Sequence, residues 1–379
     1  LPPSDTILCA RNGAIGFALE AGGINSHAAI LARALDIPMV AGLKGLAKQA
    51  KPHEMAIIDG YAGRIVLSPS VGTMEEYRQR KNELEEHRKR LDALRDLPAE
   101  TTDGVRVSIC ANIDMVDELA TASEFGAEEI GLFRTEYLVM GRSSDVPLDE
   151  QIAHYRQIAE RAFPLPVTLR AFDIGSDKLI GSDWGKASPL GLRGARLLLT
   201  RSEILRRQVE ATLRASVTRN LSLMLPMVSS VEEMREFRRI VEEVKMELRN
   251  EGAPFDEHLK LGAMIETPAA AIIAGDLAAE CDFLSIGSND LTQYTLAVDR
   301  NDEGLARYYD ELHPAVLRLI RMTVVAAEQH GKPLTLCGEL AARADATSIL
   351  IGLGLRRFSV SPHQLAPLKE RVRCISAGG

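Results

Sequence analysis

In the last three quarters of the chain one pattern repeats: a short run of apolar and β-branched residues, then a longer stretch in which apolar positions return every three or four residues. The runs fall at 105–111, 129–133, 167–172, 221–227, 259–265, 283–287, 333–336 and 356–360. Between them the helix signals have a physical basis. Ser230 and Glu233 form a capping box that opens a helix with the apolar face Val231, Met234, Phe237, Val241, Val244 and Leu248. Thr267-Pro268 sets an N-cap before a proline at the first helical position, where the missing N–H costs nothing. A helix over 314–330 is expected to stop at Gly331, with Pro333 beyond it. Eight strand–helix units predict an α/β fold, a (β/α)8 TIM barrel over 99–379, ahead of an open doubly wound sheet.

Upstream the pattern changes. Residues 1–69 hold small-residue turns, a helical run at 27–35 and β-like pieces at 55–58 and 64–67, which predict a small α/β unit. The next stretch is strongly charged, with a thin apolar stripe at Met74, Tyr77, Leu84, Leu91 and Leu94. This is the signature of a solvated helix, and its position before Leu97-Pro98 makes 70–98 a linker helix between two domains.

Composition narrows the function classes. The chain has 379 residues, 46% of them hydrophobic, and its 45 basic against 53 acidic residues give a net charge of -8 without a basic block, which argues against a nucleic-acid partner. The most apolar stretch, 262–279, is interrupted by Glu266 and Asp276, so no membrane span is expected, and no signal peptide is visible. Cys9, Cys110, Cys281, Cys337 and Cys374 show no CxxC pair or zinc spacing, which fits a reducing cytoplasm. The opening Leu1-Pro2-Pro3-Ser4-Asp5 reads like the middle of a domain, so a fragment of a longer protein is expected.

A barrel of this type carries its active site at the C-terminal ends of its strands. The residues following the runs are Asn112, Arg134, Asp173, Val228, Glu266, Asn289 with Asp290, Cys337 and Ser361, with Arg170 inside the third run. Glu266 and Asp290 follow consecutive strands, so their carboxylates are expected to converge. Two carboxylates with substrate oxygens and waters suit Mg2+; the plainer alternative has Glu266 capping its helix and Asp290 pairing with an arginine. Arg134, Arg170, Arg193 and Arg300 offer guanidinium forks for phosphate or carboxylate. His27 follows Gly22-Gly23 at a helix start, where anions are favoured and an imidazolium is disfavoured. That suits a neutral imidazole accepting a phosphoryl group, with capping or packing as the alternative. Cys337 on its own reads as a buried apolar cysteine.

The segment Gly22-Gly23-Ile24-Asn25-Ser26-His27-Ala28-Ala29-Ile30 is similar to the phosphohistidine motif of the phosphoenolpyruvate-utilising enzymes, a group that includes pyruvate phosphate dikinase and phosphoenolpyruvate synthase. The sequences GLFRTE at 131–136, RAFDIGSDK at 170–178 and, most specifically, SNDLTQYTLAVDR at 288–300 resemble the Enzyme I family of the bacterial phosphotransferase system, and the resemblance runs over essentially the whole chain. It implies that His27 is phosphorylated by phosphoenolpyruvate and that Arg134, Arg170, Arg193, Arg300 and Asn289 hold the substrate. It further implies that Glu266 and Asp290 hold Mg2+ (or Mn2+), and that Cys337 protonates the enolate to pyruvate. Residues 1–69 then correspond to part of a swivelling phosphohistidine domain. The partners implied are the phosphocarrier protein HPr and a second copy of the chain, paired through the barrel. Asn25, Ser176, Leu192 and Ala342-Arg343 depart from the commonest family pattern, and none of them removes a charged group from the site. The family's HPr-binding helical domain, the first strands of its phosphohistidine domain and its usual C-terminal helix have no counterpart in this sequence. A dikinase or synthase would need a nucleotide-binding domain, and a non-catalytic phosphoenolpyruvate sensor would be suggested by loss of Cys337 or a metal carboxylate; both are present.

Overall fold

In the computed structural model the chain falls into two units, Leu1–Lys89 and Arg90–Gly379. The residues described are 8–9, 12–21, 29, 32, 37–139, 145–175, 188–300 and 302–378. In the first unit β1 (Phe17–Ala18) and β2 (Met39–Val40) pair in parallel, and β3 (Ala56–Asp59) and β4 (Arg64–Leu67) form an antiparallel hairpin. Its turn is closed by Asp59, whose carboxylate accepts the N–H of Ala62, three residues on, at 2.8 Å. The strand predicted at 64–67 is present with those bounds, and its partner starts one residue later than the 55–58 expected. Of the helix expected at 27–35 only Ala29 and Ala32 are described, both helical. His27 lies outside the described residues.

The chain leaves the first unit within the helix Val71–Leu94, one turn longer at its start than the stripe predicts. Ser70 accounts for the extra turn: its hydroxyl accepts the Thr73 N–H at 3.1 Å. The helix is polar almost all round and carries ion pairs one turn apart, such as Arg80 with Glu76 at 3.0 Å, which support an exposed helix by a few tenths of a kcal/mol each, about 0.2–0.5.

In the second unit the eight apolar runs become eight parallel strands: β5 (Ser108–Ile113), β6 (Ile130–Arg134), β7 (Val167–Arg170), β8 (Leu221–Leu225), β9 (Lys260–Ile265), β10 (Phe283–Gly287), β11 (Leu334–Cys337) and β12 (Arg357–Val360). Each pairs with the next and β12 pairs with β5, closing the barrel. The observed strands are mostly shorter than the runs. Residues 105–107 are a lead-in shaped by a turn in which Thr101 N–H bonds the Val105 carbonyl at 3.0 Å, and β7 stops at Arg170 with Ala171 and Phe172 already in the following loop.

The helix signals act as read. The Ser230 hydroxyl accepts the Glu233 N–H at 3.3 Å and the Glu233 carboxylate accepts the Ser230 N–H at 3.1 Å, completing the capping box of Val231–Glu251. Thr267 caps Pro268–Ile272 through the Ala270 N–H at 3.1 Å. Pro314–Gln329 ends against Gly331 in the left-handed region. The helix faces close over the strands into one continuous core that includes Ile109, Phe133, Leu169, Leu223, Ile286, Leu336 and Phe358, all fully buried. Each such side chain stabilises the fold by about 1.5–3 kcal/mol relative to exposure. Inside the barrel a smaller apolar group is formed by Leu132, Met224, Met264 and Cys337, with Phe283 against it. Gly262 belongs to this packing, because a Cβ there would stand 2.3 Å from the Phe283 ring.

At the foot of the barrel the last helix, Leu365–Arg373, is tied to the entering chain. Lys369 donates to the Arg95 carbonyl, Arg373 to the Pro98 carbonyl at 2.7 Å, and the Ala377 N–H to the Asp103 carboxylate at 2.9 Å. Among the described residues no helix is long and apolar enough to cross a membrane.

Candidate active site at the barrel mouth

Strand pairing itself brings the first two candidates together. Arg134 ends β6, Arg170 ends β7, and the two are register partners in the ladder. Arg170 is nearly buried. Its Nε and Nη2 both donate to one oxygen of Glu136, at 3.2 and 2.9 Å, and its Nη1 lies 3.5 Å from Asp173. The other oxygen of Glu136 is buried and has no partner among the described residues. Arg134 is more open, 40% exposed, and its Nη1 donates to both oxygens of Asp114 at 2.9 and 3.2 Å.

Arg193 lies just before the helix Ala195–Thr200, its backbone held by a bridge to Gly175. Its guanidinium joins two strand ends. Nε and Nη2 donate to Asp173 at 2.9 and 2.8 Å; Nη1 and Nη2 donate to Asp290 at 2.9 and 3.0 Å. Nη1 also donates to the Tyr294 hydroxyl at 3.1 Å. Arg300 stands 3.9 Å from Asp290, with its backbone N–H donating to the Gln293 side chain at 3.1 Å. Asp290 thus does pair with an arginine, as the plainer sequence reading had it, while remaining at the strand end next to Glu266.

Three guanidiniums, those of buried Arg170 and partly buried Arg193 and Arg300, face four carboxyl groups, those of Glu136, Asp173, Glu266 and Asp290. Burial works against the charge on Arg170, and Glu136, Asp173 and Glu266 outweigh it, so its pKa lies above the usual value. Burial likewise opposes Asp173, and Arg170 and Arg193 overcome it to hold that carboxyl below the usual range. Glu266 goes the other way. It is 1% exposed, and burial, then Asp290 and Asp173, push it up to about 8 against the pull of Arg170 and of the Met227 N–H at 2.6 Å. Without a further cation Glu266 therefore keeps its proton at neutral pH; a cation beside it would favour the charged form, and oxygen donors of this kind suit a hard divalent one. Among the described residues no three His, Cys, Asp or Glu side chains gather into a cage by themselves, so protein ligands alone would leave much of such an ion's shell to substrate and water.

Asn289 organises the other side of the mouth. Its Oδ1 accepts the Glu339 N–H at 2.8 Å, and its backbone carbonyl accepts the Tyr309 hydroxyl at 3.1 Å. Between them Gly338 has φ 108°, and a Cβ there would meet the Ser288 Oγ at 2.2 Å, so only glycine fits this close turn. Cys337 ends β11, nearly fully buried; its thiol donates to the Ile286 carbonyl at 3.3 Å and lies 3.4 Å from the Ser285 Oγ. Burial raises its pKa, with Glu266, Arg134 and Arg170 all close enough to be felt. The thiol therefore keeps its proton at neutral pH.

The structure brings together Arg134, Arg170, Arg193, Arg300, Glu266, Asn289, Asp290 and Cys337 at one end of the barrel; His27 is not among the described residues. Sequence reasoning gave no role to Glu136 or Asp173. The available signal was their position in the same short motifs as the arginines, two residues after Arg134 and three after Arg170.

Residues 88–377 match the PEP-binding domain of PEP-utilising enzymes, and residues 1–63 match the mobile domain of the same enzymes. The phosphoenolpyruvate-protein phosphotransferase of Haemophilus influenzae is 40% identical over 379 residues, covering 99% of this chain and 66% of that protein. That of Cupriavidus necator is 39% identical over 378 residues, 98% of this chain and 64% of that protein. The chain thus spans slightly less than two thirds of the length of these curated relatives. Among solved structures, an HpcH/HpaI aldolase from Desulfitobacterium hafniense is similar with a TM-score of 0.41 and 14% identity, over 67% of this chain and 86% of that one. Because the PEP-binding match takes in the whole barrel and every residue placed at its mouth, the chain belongs to the family of PEP-utilising enzymes.

Proposed function

We infer that the protein takes the phosphoryl group of phosphoenolpyruvate onto His27 and releases pyruvate, and that in its full-length form it passes the phosphoryl group on to the phosphocarrier protein HPr or a paralogue, as a phosphoenolpyruvate-protein phosphotransferase of the phosphotransferase system. The observation that carries this reading is the set of arginines gathered at the barrel mouth beside four carboxyl groups, of which Glu266 is so buried and so crowded by Asp290 and Asp173 that it keeps its proton unless a further cation is present. A doubly anionic phosphate and a carboxylate need guanidinium forks, and Glu266 with Asp290 would offer oxygen donors to a divalent cation.

In this reading a nitrogen of the neutral His27 imidazole attacks phosphorus in line, the bond from phosphorus to the enol oxygen breaks, and the enolate takes the Cys337 proton at its methylene carbon. Arg134, Arg170, Arg193, Arg300 and Asn289 bind the phosphate and carboxylate. Arg134 is the easiest to recruit, because the exposed pair it makes with Asp114 contributes little. Glu266 and Asp290 would hold Mg2+, or Mn2+, which supplies charge neutralisation at the phosphoryl oxygens. A cytoplasmic homodimer joined through the barrel completes the proposal, as the family resemblance implies.

Calorimetric titration with phosphoenolpyruvate tests the site. Binding is expected with Mg2+ or Mn2+ and not with chelator, and Glu266→Gln should remove the metal dependence. Equally tight binding without metal would refute the assignment of the carboxylates. Cys337 has its own test: Cys337→Ala should slow pyruvate formation by about 10²–10⁴-fold, the usual range for a lost general acid, and leave phosphoenolpyruvate affinity nearly unchanged. A variant that loses stability and keeps its turnover would make Cys337 a packing residue of the Leu132, Met224 and Met264 group.

A further inference from the structure

The hydrogen-bond ladder between β6 and β7 ends at Arg134 and Arg170. The backbone beyond it, which carries Glu136 and Asp173, must find other partners. The Ala171 N–H donates to the Met224 carbonyl at 2.9 Å and the Asp173 N–H to Glu136 at 2.8 Å, and the amide between them is served by one side chain from outside the barrel. Gln208, in the helix Ser202–Ala215, is fully buried. Its Oε1 accepts the Phe172 N–H at 3.0 Å, while its Nε2 donates to the Thr135 hydroxyl at 3.1 Å and to the Tyr155 hydroxyl at 2.9 Å. The Thr135 hydroxyl passes the contact on, donating to the Arg170 carbonyl at 2.8 Å. Thr135 and Tyr155 are fully buried as well.

Packing alone does not account for this residue. The buried face around it, Leu205, Val209, Ala211, Thr212, Leu213 and Ala215, is mostly aliphatic, and another aliphatic side chain would extend it without the cost of burying an amide. An amide, with two donors and an acceptor on one short stem, is the group that serves both strand ends at once. Arg170 is consequently gripped twice by adjacent residues: Thr135 takes its carbonyl and Glu136 takes its guanidinium. Gln208 holds that turn against the loop leading to Asp173.

We propose that Gln208 is a positioning residue, which through Thr135 and Phe172 locks the segment carrying Arg134 and Glu136 against the segment carrying Arg170 and Asp173, and so sets the spacing of the guanidiniums that receive the substrate. The inference rests on the reading of this mouth as the phosphoenolpyruvate site. It assigns function to a side chain that touches neither substrate nor metal.

The test compares Gln208→Leu, Gln208→Glu, Thr135→Val and Tyr155→Phe in the full chain by three measurements: the Arg170 Nε–H resonance in the free protein, assigned with Arg170→Lys, the Kd for phosphoenolpyruvate with Mg2+, and the Tm. Gln208→Leu and Thr135→Val should each move the resonance and weaken binding by about tenfold, since misplacement of positioning groups by an ångström costs up to two orders of magnitude. Their double variant should be no weaker than the worse single one, as expected for two links of one chain. Gln208→Glu keeps the acceptor for Phe172 and should recover part of the affinity. Tyr155→Phe removes a bond that reaches neither strand end, and should lower Tm while leaving resonance and Kd in place. A cooperatively folded Gln208→Leu or Thr135→Val protein with the parent's resonance and Kd overturns the proposal, and Thr135→Val decides it if Gln208→Leu does not fold. If the parent binds no phosphoenolpyruvate the substrate assignment falls, and an unmoved or moved Arg170 resonance still refutes or supports the positioning role.

Discussion

Incubated with labelled phosphoenolpyruvate and Mg2+, the protein is expected to gain one phosphoryl group that is labile in acid and stable in base, and His27→Ala to abolish it. The stability pattern follows from the bond: phosphorus on an imidazole nitrogen is a phosphoramidate, whose leaving group becomes good on protonation, whereas phosphate esters of serine or threonine resist acid. The position follows from the sequence. His27 comes after Gly22-Gly23 where the sequence pattern predicts a helix start, and there the local field would favour a neutral ring and then stabilise the phosphoryl charge it accepts. Among the described residues at the mouth none offers an uncharged nucleophilic nitrogen, because they supply guanidiniums, carboxylates, an amide and a protonated thiol. Label recovered on Cys337 or on a carboxylate after mild proteolysis would refute the assignment.

Arg193→Met is expected to cost about 3–5 kcal/mol of stability at neutral pH, because it leaves two carboxylates buried without their shared cation. The pH dependence identifies the cause. Asp173 has a depressed folded pKa, with burial overcome by Arg170 and Arg193, so its contribution is fully present above the unfolded value near 3.9 and is lost as the pH falls through the folded one. Without Arg193, Asp173 keeps its burial and loses a main partner, so its folded pKa rises. The deficit relative to the parent should therefore be greatest near neutrality and shrink toward acid as the carboxyl is neutralised. Urea unfolding at pH 7 and pH 4 measures it, and a deficit that stays constant or grows at pH 4 would show that the arginine acts through packing instead.

The barrel was legible because its signal is local: consecutive apolar residues bounded by capped helices give a strand each time, and the run at 283–287 agrees with β10 residue for residue. The site residues were legible for a related reason, since the strand ends are fixed once the strands are. Their partners were not. Arg193 and Asp290 are 97 positions apart, and nothing near either one indicates that two carboxylates will share a single guanidinium. Gln208 sits beside Arg206 and Arg207 in a polar stretch of sequence, and only the closed barrel shows that it faces inward while they face out. Cys337 read both ways from the sequence and occupies both settings in the structure, packed among apolar side chains yet within the field of Glu266, Arg134 and Arg170.

The bonds at the foot of the barrel have a topological consequence. Lys369 and Arg373 hold the carbonyls of Arg95 and Pro98, and Ala377 closes onto Asp103, so the first and eighth strand–helix units meet at a seam on the face opposite the mouth. A ring of eight units joined this way has no privileged starting point. A short linker from about residue 377 to about residue 98, with new ends opened in an exposed turn on the same lower face, gives a circular permutant whose unit order is rotated and whose arginines keep their neighbours.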